Sequence, residues 1–244
     1  MQNGYAVETK NLTKTFGHFT ALDKLNLKIE SHAIHGLLGP NGAGKTTAIK
    51  LLCGLLKPTS GEAYVLGKKV PDRSLLPQIG YMPQETALYQ DLTVHYNLSL
   101  YGELYGMSRK RIAEREKGLL QFIALEKWRD SPVANLSGGM KHRVSLACSM
   151  IHEPKLLFLD EPTVGVDPEL RASFWEYFSR LKRAGVTIVL TTHYMDEAQH
   201  CDKIGLVRQG KLIAEGTPGD IVRQTNTTNL EDAFLALAGH QAEA

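Results

Sequence analysis

Gly39-Pro40-Asn41-Gly42-Ala43-Gly44-Lys45-Thr46, continuing into Thr47, is the stretch from which the rest of the chain can be read. It spells G-x-x-x-x-G-K-T, a phosphate-binding loop when a strand precedes it and a helix follows. Both contexts are present. The apolar run Ala33 to Leu38, interrupted by His35 and Gly36, comes before it, and Ala48, Ile49, Leu51 and Leu52 set a helical stripe after it. The glycines let the backbone close around a pyrophosphate, and the helix start turns free N–H groups toward the anion. Lys45 adds a positive charge for the β- and γ-phosphates, and the Thr46 hydroxyl can bind Mg²⁺. The expected ligand is a nucleoside triphosphate.

The totals narrow the setting. At 244 residues the chain can build one large domain or two closely joined ones, with a sizeable core. A net charge of +2 supplies no basic field of the kind that points to nucleic acid. Cys53, Cys148 and Cys201 lie far apart without paired spacing, which fits reduced cytosolic thiols rather than a disulfide or zinc set. The opening Met-Gln-Asn-Gly-Tyr shows no basic region followed by an apolar core, so no leader is expected. No apolar run approaches the length of a membrane span, so work at a membrane would need a partner.

Outward from the loop, Leu25, Leu27 and Ile29 alternate with Asn26, Lys28 and Glu30, the period of a half-buried strand. Phe16 precedes that strand at a turn, where an aromatic packs in the core or stacks on a base; the residues alone favour the core. Glu62 to Leu66 and Ile79 to Met82 read as short strands. From about Glu85 to His152 the period turns helical, with Val94, Leu98, Tyr101 and Tyr105 on one face and Ile112, Leu119, Leu120, Phe122 and Ile123 on another. Leu136-Ser137-Gly138-Gly139-Met140 opens a helix striped by Val144, Ala147, Cys148 and Ile151. It reads as a flexible turn or as a second anion-binding start.

After Lys155 the run Leu156 to Leu159 is continuously apolar, as in a strand buried on both faces of a parallel sheet, and it ends in Asp160 and Glu161. Ligands of such sheets bind at the carboxyl ends of strands. Successive side chains on a strand face opposite ways, so the two acids should do different jobs. Asp167-Pro168-Glu169 caps a helix striped by Leu170, Phe174, Tyr177, Phe178 and Leu181. Val186 to Leu190 is another buried strand and runs into Thr191-Thr192-His193, which raises His193 above an ordinary structural histidine. His32, His35 and His200 have no such position. A hairpin over Ile204 to Ala214 and a short amphipathic helix through Leu230, Ala233, Phe234 and Leu237 close the chain.

In their order these stretches resemble an ATP-binding cassette ATPase over residues 5 to 220: the loop, Gln84, Leu136-Ser-Gly-Gly, Leu157-Phe-Leu-Asp-Glu161, Val166-Asp167 and His193. The resemblance implies an α/β fold, a P-loop NTPase (RecA-like) core with an N-terminal antiparallel β part and an inserted α-helical subdomain. It implies a core of residues 1–84 and 153–220, a helical subdomain of 85–152 and a tail of 221–244. By the same resemblance Phe16 stacks on adenine, Thr46, Gln84 and Asp160 hold Mg²⁺, and Glu161 is the general base. His193 bonds the γ-phosphate and orients water, and Gln84 links the helical segment to that phosphate. Leu136 to Met140 match the family signature, which contacts ATP bound to a second subunit, and Asp167 lies on the loop crossing between the two sites. Met140 stands where glutamine is usual, and Val164-Gly-Val166 where Ser-Gly-Leu is common.

Ser137-Gly-Gly-Met-Lys-His-Arg143, Thr192-His-Tyr-Met-Asp-Glu-Ala198 and Gly210-Lys-Leu-Ile-Ala-Glu-Gly-Thr-Pro218 are similar to the ATPase subunits of type-2 exporters, the branch of drug-resistance (daunorubicin-resistance-like), antibiotic and polysaccharide exporters. The implied function is ATP hydrolysis powering export through a multi-span membrane permease, on the cytoplasmic face of the membrane, by a homodimer or a pair with a relative. The alternative is a soluble cassette ATPase acting on ribosomes, DNA or Fe–S assembly.

Overall fold

The structure, a computed structural model, describes residues 4–240. The first three residues of the stretch read for a leader and the last four of the expected tail lie outside the described residues.

The N-terminal part is antiparallel. β1 (Tyr5–Phe16) pairs with β2 (Phe19–Leu25), β3 (Lys28–Glu30) and, after the phosphate loop, β5 (Ser60–Val65), which turns back into β6 (Lys68–Lys69). The alternation Leu25, Leu27, Ile29 is buried as expected, but the pairing breaks at Asn26 and divides the segment into β2 and β3. The loop itself joins β4 (Ile34–Leu38) to α1 (Lys45–Leu52).

The second sheet adds β7 (Ile79–Met82), β8 (Leu156–Asp160), β9 (Thr187–Thr192), β10 (Lys203–Arg208) and β11 (Lys211–Gly216). Its order is β11-β10-β4-β9-β8-β7, parallel throughout except for the hairpin β10–β11. Alternate side chains of these strands enter two different cores. Leu37, Leu156, Phe158 and Val189 pack with α1 and the antiparallel sheet. Ile34, Leu38, Leu157, Leu159, Ile188 and Leu190 pack on the opposite face.

That opposite face is covered by helices. α2 (Val94–Leu104), α3 (Arg109–Phe122) and α4 (Gly138–Met150) stand between β7 and β8 in the chain, and α5 (Pro168–Arg183) follows β8. The helical pattern begins at Val94, not at Glu85. Thr93 caps α2 by accepting from the Tyr96 N–H, and the preceding residues form a loop held by Asn97, whose side chain bonds Tyr89 at both its N–H and its carbonyl. Ser108, Ser137 and Asp167 likewise cap α3, α4 and α5. After β11 come α6 (Pro218–Gln224), which the sequence reading passed over, and α7 (Leu230–His240), the expected terminal helix. Among the described residues no helix is long and apolar enough to cross a membrane.

Candidate active site

Four neighbouring parallel strands deliver the candidate residues to one edge of the sheet. The loop follows β4, Asp160 ends β8, His193 follows β9 and Gln84 lies just beyond β7. Register brings Leu38 opposite Thr192, Asp160 opposite Thr191 and Met82 opposite Leu159. Residues scattered from 39 to 193 therefore share one site.

The loop is shaped by close approach. Gly44 has φ 104°, and a Cβ there would lie 2.4 Å from the Ala21 carbonyl of β2, so only glycine fits. Lys45 is buried, and its ammonium donates to the carbonyls of Gly39 (2.7 Å) and Pro40 (3.0 Å). Burial pulls its pKa below the ordinary lysine value, and Glu161 and Asp160 pull it back up. A phosphate entering the loop would compete with two neutral carbonyls for a charged donor, an exchange that favours the anion.

Asp160 and Glu161 turn to different partners as expected, although Glu161 lies just past the end of β8 and its direction is set by a left-handed backbone rather than by strand alternation. Asp160 falls on the same face as Leu156 and Phe158, toward α1, where Thr46 Oγ1 donates to its Oδ1 at 3.1 Å and the Thr191 hydroxyl donates to the same oxygen. Its Oδ2 is buried with no hydrogen-bond partner. Burial is the main force raising the Asp160 pKa, opposed by the Thr191 and Thr46 hydroxyls. A buried carboxylate oxygen left unpaired beside a hydroxyl is a donor set of hard oxygens, which suits Mg²⁺ sharing its remaining ligands with phosphate and water.

Glu161 turns the other way. Its backbone is left-handed (φ 55°), and its N–H reaches both the carbonyl (3.2 Å) and the hydroxyl (3.0 Å) of Thr191. One carboxylate oxygen accepts from Gln84 Nε2 at 3.2 Å and the other lies 3.1 Å from His193 Nδ1. Of the three residues expected to act on water, Gln84 and His193 thus both contact Glu161. Two groups that the sequence reading did not single out join them. Thr191 bridges both acids, and His142 on α4 places Nε2 2.9 Å from the Glu161 carbonyl oxygen. Thr191 was traceable from its position opposite Asp160 once the strands were paired; nothing in the local pattern marked His142.

Phe16 is 47% exposed at the end of β1, with Lys14 Nζ 4.9 Å from its ring centroid. The core reading for this ring is therefore overturned, because a core phenylalanine would be covered. It pairs across the hairpin with Phe19, the start of the strand whose Ala21 touches Gly44. Pro40, Asn41 and Gly42 are exposed along the loop, Ala43 is buried, and Thr47 lies within α1.

Ser137 caps α4 by accepting from the Met140 N–H at 3.3 Å, and Ser137 and Gly138 are exposed. A Cβ on Gly139 would lie 2.9 Å from the Gly165 carbonyl, so the helix start packs closely on the loop before Asp167. Leu136 is buried in the helical core and Met140 packs against it, so within the signature these two side chains serve packing. Asp167 Oδ1 accepts from the Leu170 N–H at 3.0 Å.

Strand, phosphate loop and helix, with acids at the ends of the neighbouring strand, define a P-loop nucleoside triphosphatase of mixed α/β fold. The family model described as "ABC transporter" matches residues 22–164. The probable multidrug ABC transporter ATP-binding protein YbhF of Escherichia coli (strain K12) is 45% identical over 95% of this chain, which spans 41% of that protein's length. The linearmycin resistance ATP-binding protein LnrL of Bacillus subtilis (strain 168) is 36% identical over 94% of this chain and 77% of its own. A Nod factor export ATP-binding protein I of Cupriavidus metallidurans is 41% identical over 88% and 72%. Among solved structures, an ATP binding subunit of an ABC transporter superposes with a TM-score of 0.88 at 31% identity, covering 96% of this chain and 99% of that one. The cassette MJ0796, solved as a dimer in a post-hydrolysis state bound to ADP and Pi, gives 0.80 at 28% identity, covering 86% and 98%. The chain belongs to the ABC transporter family and carries the ATPase domain of that family.

Proposed function

We propose that two copies of this chain close head to tail on two Mg·ATP and that the closing pair energises export through a multi-span membrane permease. The observation that carries the reading is the meeting of Lys45, Thr46, Asp160, Glu161, Gln84 and His193 at the ends of four parallel strands, while Ser137 and Gly138 stand exposed at the start of α4, open to a second chain. The names of the relatives, which include multidrug, Nod-factor-export and resistance proteins, favour export over a soluble role.

In this reading Phe16 offers its open ring face to adenine. The N–H groups of Gly42 to Thr47 and the Lys45 ammonium surround the β- and γ-phosphates. Thr46, Asp160 and Gln84 would hold Mg²⁺, which when bound neutralises charge on the phosphate oxygens. Glu161 takes the proton of the attacking water; Gln84 and His193 hold its two oxygens so that the carboxylate is aimed before ATP arrives. His193 bonds the γ-phosphate. Ser137 and Gly139 of the second chain, on the helix start that Leu136 and Met140 anchor, complete the site, and Asp167 lies on the loop between the two sites.

The permease would dock at an apolar cavity of about 290 Å³ where Leu55, Leu76, Tyr81, Pro83, Ala87 and Tyr101 meet, beside the segment Gln84 to Leu92. Leu55 and Leu76 are more than half and half exposed there, respectively, an apolar surface awaiting cover. Such docking would hold the subunit on the cytoplasmic face of the membrane.

The test uses tagged Glu161→Gln protein. ATP affinity stays at the wild-type value, turnover falls by about 10²–10⁴ as for loss of a general base, and a multi-span protein co-purifies from detergent-extracted membranes. Wild-type turnover sinks the base assignment. Recovery with ribosomes or nucleic acid alone sinks the export reading.

A further inference from the structure

Glu161 is held in a conformation that residues with a Cβ adopt only rarely. Its φ of 55° lies in the left-handed region, which is strained for a residue with a Cβ and persists only where the surroundings over-determine it. β9 holds the Glu161 N–H through the carbonyl and hydroxyl of Thr191. α4 holds the Glu161 carbonyl through His142 Nε2 at 2.9 Å. A carbonyl only accepts, so the His142 proton sits on Nε2. The ring is buried, which lowers its pKa below the ordinary histidine value and keeps it neutral, with a single N–H to give. The two peptides that flank the Glu161 Cα are thereby held from two different elements, the one before it by β9 and the one after it by α4.

We infer that His142 is a positioning residue for hydrolysis: by holding the carbonyl of the left-handed Glu161 it keeps the carboxylate between Gln84 and His193. The inference rests on Glu161 being the general base. The side chain of Glu161 leaves the backbone at the residue whose carbonyl His142 fixes. Rotation of that peptide would swing the carboxylate away from the two groups that aim it. His142 also lies on the helix that Ser137 opens, so a displacement of α4 reaches the Glu161 backbone directly.

A packing role and a positioning role predict different behaviour. If His142 merely fills space, its loss lowers stability and leaves turnover of the folded protein intact. If it positions Glu161, its loss lowers kcat, spares KM, and is rescued by a side chain that keeps an N–H at the same reach. The test measures steady-state ATP hydrolysis and thermal melting on the full chain for His142→Leu, His142→Gln, Glu161→Gln and the double variant His142→Leu/Glu161→Gln.

The expected result is a fall in kcat of about 10–100-fold for His142→Leu, the cost of misplacing a reacting group by an ångström or less, with KM within about twofold. His142→Gln, whose amide can donate to the same carbonyl, recovers to within about threefold of wild type. The double variant turns over no more slowly than Glu161→Gln alone, because the two act as one unit. Should the leucine variant fail to fold, His142→Asn, whose amide is too short to reach, takes its place with the same expected loss. Full-rate turnover by His142→Leu beside a slow Glu161→Gln overturns the inference alone. Equal loss in the leucine and glutamine variants, or an additive loss in the double variant, also overturns it. Wild-type turnover by Glu161→Gln removes the base reading and the inference together.

Discussion

Asp160 and Glu161 are neighbours in the chain and turn to different partners within one site. The period-two rule separates them in the sequence, and the structure gives the separation its content: Asp160 ends β8 and meets Thr46, while Glu161, left-handed just past the strand, meets Gln84, His193 and, through its carbonyl, His142 of α4. His35, left without a role by its sequence position, gains a physical one in β4. It is buried with Nε2 unpartnered, and burial first, then Lys203, press its pKa to about 4 against the opposing pull of Glu30. Its folded pKa lies below the ordinary value of about 6.5. Between those values the unfolded chain binds more protons than the folded one, so the stability this group contributes is complete above pH 6.5 and is lost as pH falls toward 4. Urea unfolding at pH 7.5 and 4.5 should show wild type losing about 2–3 kcal/mol more than His35→Leu. Equal losses would mean the ring is hydrated in the folded state.

At the scale of elements, the helix starts were legible because capping chemistry is local. Ser137 and Asp167 sit where the sequence put them, and each accepts a hydrogen bond from an N–H of its own first turn. The loop before α2 was not legible, because apolar residues at near-helical spacing there serve packing while Asn97 holds the backbone in turns. α5 was read from its stripe, yet its partner could not be. Phe122 of α3 stacks on Tyr177 of α5 at 3.8 Å between ring centroids and lies 4.8 Å from Phe174, so these aromatics join the helical insert to the sheet. Phe174→Ala removes a fully buried ring from this junction and should cost about 3–5 kcal/mol in denaturant titration, with ATP affinity at the phosphate loop unchanged. A cost under about 1 kcal/mol would mean that the junction relaxes freely.

For the whole molecule, the proposed dimer makes one chain's Lys45 and Ser137 serve different ATP molecules. Lys45→Ala and Ser137→Glu chains, each inactive alone, should therefore complement when mixed. A mixed dimer pairs the intact loop of one with the intact signature of the other. Random pairing makes half the dimers mixed, each with one competent site of two, so activity rises toward about a quarter of wild type. An inactive mixture would place both residues at the same ATP.

By itself the sequence determined the phosphate loop, the buried character of β8 and β9 and the caps, because each follows from spacing within a few residues. The tertiary structure alone decided that β9 inserts between β4 and β8. That order sets Thr191 against Asp160, brings His193 and Gln84 onto one carboxylate, and lays His142 against the Glu161 backbone. Strand order is fixed by which apolar faces cover which across the whole sheet, a long-range balance of burial that local periodicity does not contain.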